Sequence, residues 1–108
     1  MHKLHEIPNS SIDSIILFNN VLIGVNGAKY LGEAITKCVT LASLNLDIGF
    51  NQIGDNGAMY LGEGISKCVS LTSLKLHLYG NGIGGNGAKY LGEAITKCVT
   101  LTSLNLNL

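Results

Sequence analysis

The segment Gly82-Ile83-Gly84-Gly85-Asn86-Gly87 spaces its glycines as a loop does when its backbone N–H groups cradle a pyrophosphate. It follows an apolar alternation and precedes a helical pattern, the context that such phosphate chemistry requires. Two observations weigh against that chemistry. The corresponding loop thirty residues earlier, Gln52-Ile53-Gly54-Asp55-Asn56-Gly57, keeps the architecture without the first glycine. About twenty residues downstream, where a carboxylate would hold a ribose, the chain reads Leu104-Asn105-Leu106-Asn107. A dinucleotide-binding enzyme is the minor alternative, and a plain repeat turn is the main reading of this loop.

Other reactive side chains recur singly. Cys38, Cys68 and Cys98 form a ladder at thirty-residue steps. A metal cluster needs several soft ligands converging on one point, and equivalent residues of stacked units sit about 8–10 Å apart. That also exceeds the roughly 7 Å Cα separation a disulfide tolerates. The ladder reads as three core thiols, with redox chemistry as the lesser reading. His77 has no nearby cysteine or serine in a plausible catalytic geometry, and His2 and His5 fall in an N-terminal tail. Glu33, Glu63 and Glu93 each precede a lysine by four residues (Lys37, Lys67, Lys97), the spacing of a solvated helical ion pair. No catalytic residue, metal site or cofactor is expected, and the chain is read as a non-enzyme.

Composition agrees. The chain has 108 residues, 46% of them hydrophobic and 13% charged, with zero formal net charge. All seven basic residues are lysines, so the fork that grips phosphate and guanine is missing. Nucleic-acid binding is therefore not expected. No apolar run reaches the ~18 residues of a membrane span, and the first residues lack the apolar core of a signal peptide. The match of Asn9-Ser10-Ser11 to a glycosylation sequon would matter only on secretion. An odd, sparse set of cysteines points instead to a cytoplasmic protein.

The elements that position these residues come from an internal repeat. Ile23 to Leu41 and Ile83 to Leu101 differ only at Val25 versus Gly85, and Ile53 to Leu71 lies between them at the same offset of thirty. Leu44, Leu46 and Ile48 alternate with Asn45, Asp47 and Gly49, a strand with one buried face. Leu74, Leu76, Leu78 and Leu104, Leu106, Leu108 repeat the pattern. From about Gly57 to Cys68, Ala58, Leu61, Ile65 and Cys68 form one apolar helical stripe, with Asn56 (likewise Asn26 and Asn86) as its expected N-cap. Strand then helix, always in the same direction, predicts an α/β solenoid with a parallel sheet on one side and helices on the other. Tyr30, Tyr60 and Tyr90 stand beside Gly32, Gly62 and Gly92, where small residues allow helices to approach and the tyrosines are expected to pack along the seam. The alternative is an aromatic stripe that binds a partner on the convex side.

The unit Leu41-x-x-Leu44-x-Leu46, Asn51-x-Ile53-Gly54, Asn56-Gly57-Ala58-x-x-Leu61-Gly62-Glu63 resembles the ribonuclease-inhibitor-like leucine-rich repeat. The resemblance runs from Ile12 to the C-terminus, about three to four repeats. It implies a short horseshoe of one domain: a tail over 1–11, a degenerate first repeat over 12–40, full repeats over 41–70 and 71–100, and a partial strand over 101–108. It also implies that Asn51 and Asn81, and Asn20 in the first repeat, bond backbone groups in the turn after the strand. Such repeats take three steps from the last strand leucine to that asparagine, whereas Leu46 to Asn51 takes five. Two extra residues leave every side chain on its own face, so a longer strand is expected. The resemblance further implies an interaction or scaffolding role.

In a solenoid of this kind the outward-pointing strand residues line a concave surface. Here they are Asn45, Asp47, Lys75, His77, Tyr79, Asn105 and Asn107, which vary between units while the leucines do not. A protein partner is expected on that face, anchored by an aromatic among polar groups. The alternative is a self-associating unit that pairs through the C-terminal edge strand.

Overall fold

In a computed structural model the described residues are 13–17 and 23–108. Ile12, Asn20, Leu22, the tail histidines and the Asn9 sequon lie outside them. The described elements are β1 (Ser14–Leu17), α1 (Gly24–Thr36), β2 (Ser43–Asp47), α2 (Gly54–Ile65), β3 (Ser73–His77), α3 (Gly85–Thr96) and β4 (Ser103–Asn107). All four strands are parallel, in the order β1-β2-β3-β4. The register follows the repeat: Leu44 faces Leu74, which faces Leu104. This is the α/β solenoid that the two periodicities predict.

Alternation decides what is buried. Leu44, Leu46, Ile48, Leu74, Leu76 and Leu78 point to the helices and join Ala28, Ile35, Ala58, Leu61, Ile65 and Leu91 in one apolar core. Each fully buried aliphatic side chain of this size stabilises by about 1.5–3 kcal/mol before chain entropy is counted. The outer edge is less covered: Leu104, Leu106 and Leu108 are 49%, 42% and 39% exposed. The two extra residues after Leu46 act as expected in one respect. Regular strand ends at Asp47, yet the Ile48 N–H donates to His77 O and the Phe50 N–H to Tyr79 O, both at 3.0 Å. Ile48 stays buried, so side-chain parity is kept.

The helices begin earlier than their sequence pattern predicts. Asn26, Asn56 and Asn86 are exposed residues within the first turn, and no helix carries a side-chain cap from its own N-cap residue. In the first two helices a glycine at φ +62° or +65° starts the turn three residues before the expected position. The Gly54 N–H is then satisfied by Asn81 O of the following unit at 2.8 Å, so no local cap is needed. Because the helices also end at 36, 65 and 96, the lysines expected to pair with Glu33, Glu63 and Glu93 fall beyond the helix ends.

The tyrosine ladder departs from expectation as well. Helices do approach through the glycines, with Gly32 set directly against the Tyr60 carbonyl. The seam is therefore made by tyrosine backbone, while the rings of Tyr30 and Tyr90 remain exposed. Lys29 Nζ stands 6.0 Å from the centre of the Tyr60 ring.

Candidate binding face of the sheet

Strand register gathers the outward-pointing residues into rows. Ile16, Asn45, Lys75 and Asn105 form one row across β1 to β4, and Asp47, His77 and Asn107 form the next. Gly49 and Tyr79 follow. Asn45, Asp47, Lys75, His77 and Tyr79 are half-buried, and Asn105 and Asn107 are exposed. His77 Nε2 lies 3.1 Å from Asn105 Oδ1, which ties β3 to β4 across this face.

Two atoms on the face break the usual rule that buried polar groups are paired. Asn45 Oδ1 and Asp47 Oδ1 are both shielded from solvent and neither has a hydrogen-bond partner. Both are acceptors, and they lie two residues apart on one strand. Lys75, directly across from Asn45, satisfies neither.

One rim of the face carries an aromatic pair, of which the outward-pointing pattern gives Tyr79 and misses Phe50. Phe50 and Tyr79 meet edge to face, with centroids 5.4 Å apart and planes at 82°. A Cβ on Gly49 would strike the Tyr79 ring, and one on Gly80 would strike the Phe50 ring, so each aromatic uses the other unit's glycine. Phe50 is 70% exposed and has φ +57°. The left-handed region costs a side-chain-bearing residue roughly 1–2 kcal/mol. The third unit meets the same backbone demand with Gly80 at φ +71° and Gly82 at +68°, where the second uses Phe50 and Gln52. A bulky residue in the register position of a glycine was the available signal for Phe50.

Beneath this rim the turn is built around two asparagines, only 4% and 3% exposed. Asn81 Oδ1 accepts from the Asn51 and Ile53 N–H groups at 2.6 and 3.3 Å, while its Nδ2 donates to Ile48 O and Leu78 O at 3.0 and 2.8 Å. Asn51 Nδ2 donates to Ile48 O and Gly49 O, and its Oδ1 accepts from the Ile23 N–H at 2.7 Å. Each amide thus bonds both its own turn and the preceding unit.

The glycine loop before α3 is already engaged. Asp55, in the first turn of α2, places Oδ1 at 2.7 Å from Gly84 N and 3.0 Å from Gly87 N. These are donors a pyrophosphate would need, and a carboxylate in their midst repels an anion. Cys38, Cys68 and Cys98 are free and buried. Burial first, then the neighbouring thiols of Cys98 and Cys38, pushes the Cys68 thiol up to about 11, and burial also raises Cys98. Thiols held protonated are poor nucleophiles. Among the described residues no group of three or more His, Cys, Asp or Glu is placed to hold a metal ion, and no helix is long and apolar enough to cross a membrane.

Against known proteins, the family model described as Leucine Rich repeat matches residues 39–62 and 67–92. Neither the curated proteins nor the solved structures gave a match. Two matched units, a parallel four-stranded sheet and helices packed along one side of it lead to one conclusion: the chain contains leucine-rich repeats and folds as an α/β leucine-rich repeat solenoid.

Proposed function

We propose that this chain is a protein-binding module that engages its partner through the open face of the sheet, as a scaffold rather than a catalyst. The observation that carries the reading is the pair of register-aligned rows, Asn45-Lys75-Asn105 and Asp47-His77-Asn107, polar and varied on a frame of repeated leucines. Leucine-rich repeats commonly mediate protein–protein contacts and are typically non-enzymatic, and the Asp55-filled glycine loop argues in the same direction. The helix in every unit and the buried turn asparagines support the ribonuclease-inhibitor-like kind of repeat. Three free buried thiols support a cytoplasmic location. Photo-crosslinking in cell extract tests the reading. A probe at position 75 is expected to trap a partner that Tyr79→Ala and His77→Ala release, while a probe at Lys89 on α3 traps none. Trapping from Lys89 that the open-face variants leave unchanged would sink it.

A second reading rests on the exposed leucines of β4. An unpaired apolar edge can add a strand from another copy, so self-association is expected to grow with concentration. A constant monomer mass in sedimentation would remove this reading.

A further inference from the structure

We propose that the open face recognises an arginine side chain on an extended segment of its partner, seated on Asp47 and Asn45 with an apolar neighbour packed against Phe50 and Tyr79. The inference rests on the open-face reading above and adds the chemistry of the partner.

Asp47 Oδ1 and Asn45 Oδ1 are out of water and without a donor. An unmet buried acceptor destabilises the state that holds it, and more so when it is charged. A bound donor, met by rotation of these two half-buried side chains, removes that cost. A carboxylate has acceptors only, and its strongest complement is a charged donor. The two oxygens belong to residues two apart on one strand face, roughly 6.6 Å of rise. A guanidinium offers N–H groups along two edges of a plane and can reach both, whereas an ammonium is a point charge suited to one. This chain has no arginine of its own that could fill the site.

The aromatic rim supplies the second half. Gly49, the next residue after Asp47 on the same face, is covered by the Tyr79 ring, and Phe50 follows with most of its surface exposed. Phe50 holds a left-handed backbone that its counterpart Gly80 adopts freely. Such strain concentrates at ligand clamps, and exposed aromatics beside polar groups serve as interface anchors. Acceptor pair and aromatic pair are contiguous along one strand end.

Random linear peptides displayed on phage, selected against the immobilised chain, provide the test. Arginine next to an aliphatic or aromatic residue is expected to dominate the selected sequences. A synthetic peptide of that kind should bind with Kd raised about thirtyfold by Asp47→Asn, the loss typical of unpairing a buried charged hydrogen bond. Arg→Lys in the peptide should weaken binding about tenfold, and Lys89→Ala should leave it unchanged. Selected peptides that lack arginine yet are lost on Tyr79→Ala would overturn the arginine inference and leave the open-face reading standing. Peptides indifferent to both Asp47→Asn and Tyr79→Ala would overturn both. Failure to select any peptide would overturn the inference for extended segments, and the crosslinking experiment would then decide the open-face reading alone.

Discussion

On the helix side of the sheet, Leu44, Leu74 and Leu104 are followed by Leu46, Leu76 and Leu106 without variation; on the open side the same strands read Asn45, Lys75, Asn105 and Asp47, His77, Asn107. In the two inner strands the first set is fully covered, while the second contains the two unpartnered buried oxygens. The contrast separates two tasks on one strand. Residues of one parity hold the stack together, and among their neighbours Asn45 and Asp47 each keep an oxygen that the fold leaves unsatisfied. A position that the fold does not reward is a position available to a partner.

Substitutions can sharpen this contrast. Leu76→Ala should cost about 3–4 kcal/mol in chemical denaturation, as expected for a cavity in a core that cannot collapse around it. A loss below about 1 kcal/mol would mean that the buried face is not the source of stability. Asn81→Ala comes next, at about 2–3 kcal/mol, because the Asn51 and Ile53 N–H groups and the Leu78 carbonyl lose this partner in a buried turn. On the open face the sign should reverse. Asp47→Thr removes an orphaned acceptor and installs a good strand former, so a gain of about 1 kcal/mol is expected. A loss of similar size would show that Asp47 serves the fold and break the comparison.

The smallest effect is one of pH. Cys68 titrates near 11 in the folded chain against 9.0 for an ordinary thiol. The folded state therefore holds its proton longer than the unfolded one, and stability falls as pH rises from 9.0 to about 11. Melting temperatures across that range should decline more steeply for the native chain than for Cys68→Ala. Parallel slopes would show that the thiol is not held in a dry site.

Much of this architecture is legible in the residues. The thirty-residue period, the strand alternation and the helical stripe together specify a parallel sheet with helices on one side, and parity alone assigns Asp47 and His77 to the open face. What escaped has a common physical cause. Asn56 has the chemistry of an N-cap, but the donor that needs satisfying is met by Asn81 O from the next unit. Asp55 looks like an ordinary first-turn acid, yet it bonds α3 rather than its own helix. Phe50 sits in a left-handed turn that no apolar periodicity describes. Interactions that cross from one unit to the next are invisible when a unit is read by itself.

The Asp55 bridge also gives the units a fixed grammar. Its column reads Val25, Asp55, Gly85, so only the second unit can reach forward to the helix start of its successor. Near-identical units are thus not interchangeable. Copying the second unit would place its carboxylate at each new junction. The bridge forms only where the glycine N–H groups are not already taken, as the Gly54 N–H is by Asn81 O and the Gly57 N–H by Ile53 O. Copying the first or the third would create junctions without it, where Gly84 and Gly87 equivalents must find other acceptors. An array assembled from such units can be extended, but only certain word orders keep the bridge.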